Sequence, residues 1–175
     1  MKQWLIAAMA GCAAMGVQAE TLTVEMNKVN DQGIASAVGT VKIETTDQGL
    51  VFRPDLSGLN AGAHGFHVHA NGSCQPAEKD GKPAAAVAAG GHWDPKNAGK
   101  HGEPWGEGHM GDLPVLVVDA EGKANQPVLA PRLKSLGDLK GHALMVHEGG
   151  DNYSDEPKPL GGGGARVACG VLRAV

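Results

Sequence analysis

The 175-residue chain is poor in aromatic side chains, with three tryptophans, two phenylalanines and one tyrosine. It has no excess of base: 15 Lys and Arg stand against 19 Asp and Glu, for a net charge of −4 with the histidines neutral. That balance excludes the basic surface on which nucleic-acid binding depends. No stretch carries a capped helical period, and only Ala84 to Ala89 suggests a single turn of helix. Past the amino terminus there is no apolar run long enough to be a membrane-span candidate. No internal repeat and no interdomain linker divides the chain, so the length predicts one domain with a proper core.

Cysteine is scarce as well, at three, and the amino terminus accounts for one of them. Lys2 gives a charged start, Trp4 to Ala14 is apolar and small, and Val17-Gln18-Ala19 suits a small-residue cleavage site. Residues 1–19 are therefore expected to be a secretory signal peptide and 20–175 the exported, periplasmic domain. The alternative is lipoprotein cleavage before Cys12, the one route by which the chain would meet a membrane. Loss of 1–19 removes Lys2 and no acid, leaving 15 − 1 = 14 bases against 19 acids, or −5. Cys74 and Cys169 remain, and two cysteines in an exported domain form a disulfide by default. Two buried free thiols would suit a cytosolic protein better.

What is abundant is alternation. Leu22, Val24 and Met26 alternate with Thr23, Glu25 and Asn27; Val41 and Ile43 alternate with Lys42 and Glu44. Asp47-Gln48-Gly49 turns into Leu50-Val51-Phe52, and further strands are expected at Val115–Val118, Gln126–Leu129, Ala143–His147 and Val167–Leu172. Short strands with many Gly and Pro turns predict an all-β, antiparallel sandwich or barrel. Two long connections, Asn71–Leu113 and Glu148–Ala165, interrupt it and are expected to be functional.

Histidine is concentrated: all eight lie between His64 and His147. In the strand Gly65-Phe66-His67-Val68-His69, Phe66 and Val68 point one way and His67 and His69 the other, about 7 Å apart. The first long loop adds His92, His101, His109 and Asp112, a complete four-coordinate set for zinc with no position left for an activated water. His147 closes a later strand and supplies a third imidazole beside His67 and His69, and an imidazole-rich set suits copper. Asp151, four residues on, is placed either to orient ligand histidines or to close an Asx-turn.

Gly65-Phe66-His67-Val68-His69, Gly91-His92, Gly108-His109-Met110-Gly111-Asp112 and Gly161 to Gly164 followed by Ala165-Arg166-Val167-Ala168-Cys169-Gly170 closely resemble the copper,zinc superoxide dismutases, the bacterial exported form above all. The motifs run from about residue 20 to the end. The resemblance implies a Greek-key β-sandwich or barrel, and dismutation of superoxide to oxygen and hydrogen peroxide by a copper redox cycle. It makes His67, His69, His92 and His147 the copper ligands, and His92, His101, His109 and Asp112 the zinc ligands. His92 would bridge the two ions, Asp151 would link the sites, and Arg166 would orient the small anionic substrate. Cys74 and Cys169 match the family disulfide, whereas His64 and His142 are not expected to be ligands.

Two departures from the animal and plant pattern stand out. The loop Glu148–Ala165 is shorter and lacks their charged guidance segment. The loop between Cys74 and His92 is longer and carries Glu78-Lys79-Asp80-Gly81-Lys82, read here as a solvated charged turn, with Lys79 or Lys82 at the site mouth as the alternative. Neither departure supports the animal dimer interface, and a homodimer is left open. An exported copper carrier on the same fold is the competing function; it would lack a ligand, the bridge or the arginine, and none is missing.

Overall fold

The computed structural model describes residues 20–173; the leader expected at 1–19 lies outside the described residues. Alternation becomes structure at once in β1 (Thr21–Asn30), where Leu22, Val24 and Met26 are buried while Thr23 and Glu25 are exposed. Next come β2 (Gly33–Thr46), β3 (Gly49–Ser57), β4 (Gly62–His64), β5 (Phe66–His69), and the short pair β6 (Ala77–Lys79) and β7 (Lys82–Ala84). β8 (Leu116–Val118), β9 (Lys123–Ala124), β10 (Val128–Ala130), β11 (His142–His147) and β12 (Arg166–Leu172) complete the order. Among the described residues helix is limited to single 3₁₀ turns, one of them at Val87–Ala89 inside the stretch where a turn was expected.

The main sheet is antiparallel and curled, in the order β10-β3-β2-β1-β12-β11-β5, with β9 also pairing with β3. Gly65 divides β4 from β5: β4 pairs with β8, and β5 pairs with β11. This is the all-β, Greek-key architecture expected. Its inner faces bury Val24, Met26, Val41, Ile43, Leu50, Leu116 and Leu144. The chain's two phenylalanines both go to this core, where Phe52 and Phe66 meet edge to face at 5.9 Å. Each ring is fully buried, worth roughly 1.5–3 kcal/mol of burial.

Two strands start later than the sequence suggested. Val115 gives its N–H to the Tyr153 hydroxyl at 3.1 Å instead of to a strand neighbour, so β8 begins at Leu116. Pro127 has no N–H for the ladder, so β10 begins at Val128. The first long connection also holds a hairpin, β6–β7, where a solvated turn was read. Asp80 and Gly81 both have positive φ (54° and 78°), the backbone of a tight two-residue hairpin turn.

Candidate metal centre

β5 carries the alternation predicted for it, and all four of its side chains are buried. The second face is covered because the first long loop returns along the strand. Val68 N–H donates to Gly111 O at 2.9 Å, Trp93 N–H to Val68 O at 2.8 Å, and Ala70 N–H to Gly91 O at 2.9 Å. Isolated bridges then set His69 against His92 and His67 against Asp112. Glycine is required at 111, since a Cβ there would strike Val68 O. On the other edge, β11 pairs with β5 and ends at His147, whose N–H donates to Gly65 O at 2.8 Å.

These backbone contacts assemble two donor sets. His67, His69, His92 and His147 bring one ligand atom each within 4.8 Å of one another, and so do His92, His101, His109 and Asp112. His92 belongs to both. Its ring centre lies 4.0 Å from that of His67 and 5.2 Å from that of His101. His92 Nδ1 faces Asp112 Oδ1 at 2.8 Å, while its Nε2, the atom left for the first set, has no hydrogen-bond partner.

Hydrogen bonds fix which nitrogen is free in four of the remaining rings. His67 Nε2 donates to Asp151 Oδ2 at 2.7 Å and His101 Nε2 to Asp151 Oδ1 at 2.8 Å, which leaves both Nδ1 atoms bare. His69 Nδ1 donates to Gly90 O at 2.9 Å and His147 Nδ1 to Gly164 O at 3.2 Å, so both Nε2 atoms carry lone pairs. Those two atoms face each other at 3.2 Å, repulsive unless a positive centre lies between. His67 Nδ1 and His101 Nδ1 are buried without a hydrogen-bond partner. The latter is 3.0 Å from Asp112 Oδ1 but is not aligned on it. Each such orphan costs on the order of 1–3 kcal/mol unless something fills the gap. Convergent bare nitrogens and one carboxylate are what cations require. The all-imidazole set suits copper, and the three-histidine, one-aspartate set suits a closed, structural zinc.

Electrostatics agrees. Burial holds His67 and His69 well below the usual imidazole range and brings His147 down to about 4. Burial also lowers His92, against the pull of Asp112. Neutral imidazole is the metal-binding form. His101 goes the other way: burial pushes it down, but the adjacent Asp112 and Asp151 carboxylates outweigh this and raise it to about 9. Burial raises Asp112, yet the adjacent His101 and His92 rings prevail and hold it well below the carboxylate range.

Arg166 opens β12 as the cross-strand partner of His147. Its guanidinium donates to Ala86 O and Gly90 O, each at 2.5 Å. It lines a 620 Å³ depression with Lys79, Gly90, Gly91 and Gly164. Lys79 thus shares this depression with Arg166 as well as bounding a hairpin, and Lys82 does not line it. Cys74 and Cys169 form a disulfide with Cα atoms 5.7 Å apart, inside a small second core with Ala86, Ala89 and Met145.

His64 and His142 stay outside both sets, as expected. His64 rests between His147 O and Asn60 O, and His142 bonds Ala70 O while packing at a tilt against Trp93, ring centres 4.7 Å apart. Asp151 has both the roles weighed for it, since Oδ1 also accepts from Tyr153 N–H at 2.7 Å, an Asx-turn. Sequence reasoning missed Asp155, whose carboxylate accepts from His101 N–H at 2.9 Å and Leu160 N–H at 3.1 Å and so ties the two long loops together. Its partners are backbone groups, which leave no trace in the order of side chains.

Comparison with known proteins gives a consistent answer. The family profile of copper/zinc superoxide dismutase (SODC) matches residues 37–172. The chain is 60% identical over 173 residues to superoxide dismutase [Cu-Zn] of Escherichia coli (strain K12), covering 99% of this chain and 100% of that one. The structure of Cu/Zn superoxide dismutase from Brucella abortus superposes with a TM-score of 0.87 at 55% identity, over 88% of this chain and 100% of that one. The solution structure of the monomeric copper, zinc superoxide dismutase from Salmonella enterica gives 0.79 at 62% identity, over 87% and 99%.

Proposed function

This chain belongs to the copper/zinc superoxide dismutase family, and on that footing we propose which of its residues carry the activity. The reaction is dismutation of superoxide to oxygen and hydrogen peroxide, with copper and zinc as cofactors. His67, His69, His92 and His147 hold copper; His92, His101, His109 and Asp112 hold zinc. The supporting observation is the pair of donor sets sharing His92, with inward nitrogens that no protein group satisfies. Bound copper supplies an alternation between two oxidation states, taking an electron from one superoxide and returning it to the next, whereas zinc has no redox chemistry.

The chain's own residues do the rest. Asp151 holds the tautomers of His67 and His101 through its two oxygens, so each set is fixed by the other. His92 turns Nδ1 toward the set that contains Asp112 and leaves Nε2, which has no protein partner, able to carry a proton whenever it does not hold the ion. Arg166 receives the substrate anion. Two carbonyls hold its guanidinium, whose planar, permanently charged fork has further donors to spare. Lys79 adds positive potential at the rim of the same depression.

Residues 1–19 act as an export signal and 20–175 form the exported domain, a reading that the Cys74–Cys169 disulfide supports, because such bonds persist in oxidising compartments. Metal analysis of dialysed variants tests the assignment. His67→Ala is expected to lose copper and activity while keeping zinc; a variant that kept its full copper content would remove His67 from the site.

A further inference from the structure

Arg132 lies outside the metal sites and outside both long loops, in the link after β10, yet its side chain reaches back into the zinc-side loop. Nε donates to Pro104 O at 2.9 Å, Nη1 to Gly108 O at 2.8 Å, and Nη2 to His109 O. One half-buried guanidinium therefore gathers three carbonyls from six consecutive residues that belong to no strand.

Two of those carbonyls, of Gly108 and His109, sit where the second donor set is built. His109 O also accepts from Asp112 N–H at 3.2 Å, closing the turn that brings His109 and Asp112 to the same ion. Gly108 packs so closely on Gly102 that a Cβ at 108 would lie 2.5 Å from Gly102 N. Gly102 N–H in turn donates to Asp112 Oδ2 at 3.0 Å, turning Oδ1 toward the three histidines. The fork thus grips the backbone on both sides of His109 and, through Gly108 and Gly102, supports the carboxylate.

We propose that Arg132 is a positioning residue of the zinc site, its three-pronged hold on Pro104, Gly108 and His109 presetting His109 and Asp112 for the metal. The inference rests on the zinc assignment above. Charge alone argues the other way: a fixed cation near a divalent ion repels it, so the fork's geometry outweighs its charge. Lysine keeps the charge and loses the planar fork; methionine loses both.

The test is zinc affinity, measured on copper-loaded wild-type, Arg132→Lys and Arg132→Met proteins by competition with a chromophoric chelator. Measurements are made at a temperature where circular dichroism shows each protein folded. Cobalt(II) in place of zinc reports the ligand geometry through its visible bands. Both variants are expected to bind zinc on the order of ten- to a hundredfold more weakly, with shifted cobalt bands. If Arg132→Met does not fold, Arg132→Lys decides alone. Wild-type affinity and an unshifted cobalt spectrum in Arg132→Lys would overturn the proposal, as would tighter zinc binding by Arg132→Met, which would show charge repulsion to dominate. A wild-type protein that binds no zinc would instead sink the underlying assignment.

Discussion

Arg166 stands across the ladder from His147, with two carbonyls fixing its guanidinium. An arginine held in this way is preorganised, so removing it should cost rate and leave metal binding alone. Arg166→Ala is expected to keep both metals and to lower the dismutation rate on the order of tenfold, and Arg166→Glu to lower it further. Superoxide decay followed by pulse radiolysis at equal copper content checks this. At the residue scale the site was largely legible in the sequence. Strand alternation alone puts His67 and His69 on one face, and clustering of all eight histidines between 64 and 147 made the loop histidines conspicuous. Arg132 and Asp155 were not legible, because both act on backbone groups of residues far away in the chain.

At the scale of elements, the first long loop is the working part. Its disulfide spans 95 positions and closes a small core of Ala86, Ala89, Met145 and Val29. Ala86 and Gly90, in the same segment, offer the carbonyls that hold Arg166. On the role proposed for Arg166, the disulfide connects to substrate capture through packing: it seats the loop, and the loop seats the guanidinium. By chain entropy the bond contributes about 4–5 kcal/mol. Cys74→Ser is expected to lower both the melting temperature and the activity at full copper content. An unchanged melting temperature and rate would break this chain of dependence.

The sheet was readable because hydrophobic alternation is a direct image of a half-buried strand. The β6–β7 hairpin was not, since its three-residue strands are mostly exposed and show no alternation. Asp80-Gly81 was the available signal, as this pair favours the positive φ values of a tight hairpin turn. The glycine run before Arg166 has a structural reason at Gly161. Its φ is +71°, and a Cβ there would collide with Asp151 Oδ1.

For the whole molecule, gathering neutral histidines into one centre makes metal-free stability depend on pH. His67, His69 and His147 have folded pKa values below the unfolded value of about 6.5. Below that pH the unfolded chain binds more protons, so their contribution is complete above about 6.5 and is lost as pH falls toward 4. His101, raised to about 9, has the opposite sign: its contribution is complete below about 6.5 and is lost as pH rises through 9. The metal-free protein is therefore expected to melt highest near neutrality, and a melting temperature that kept rising from pH 6.5 to 9 would contradict this. Among the described residues no helix is long and apolar enough to cross a membrane.

With a charge of −5 on residues 20–175 (14 bases against 19 acids), global attraction cannot bring superoxide in. On the role proposed for Arg166, capture is expected from local potential around Arg166 and Lys79, focused by the low-dielectric walls of the depression. That potential is screened by salt, so the wild-type rate should fall as ionic strength rises, and Arg166→Ala should show a shallower slope. The most direct measurement is the rate of superoxide decay by pulse radiolysis as copper is titrated into zinc-loaded, copper-free protein. The rate should rise in proportion to bound copper, saturate at one copper per chain, and stay at the background level in His67→Ala. Rapid superoxide consumption by the copper-free protein, or none at full copper and zinc content, would contradict the account.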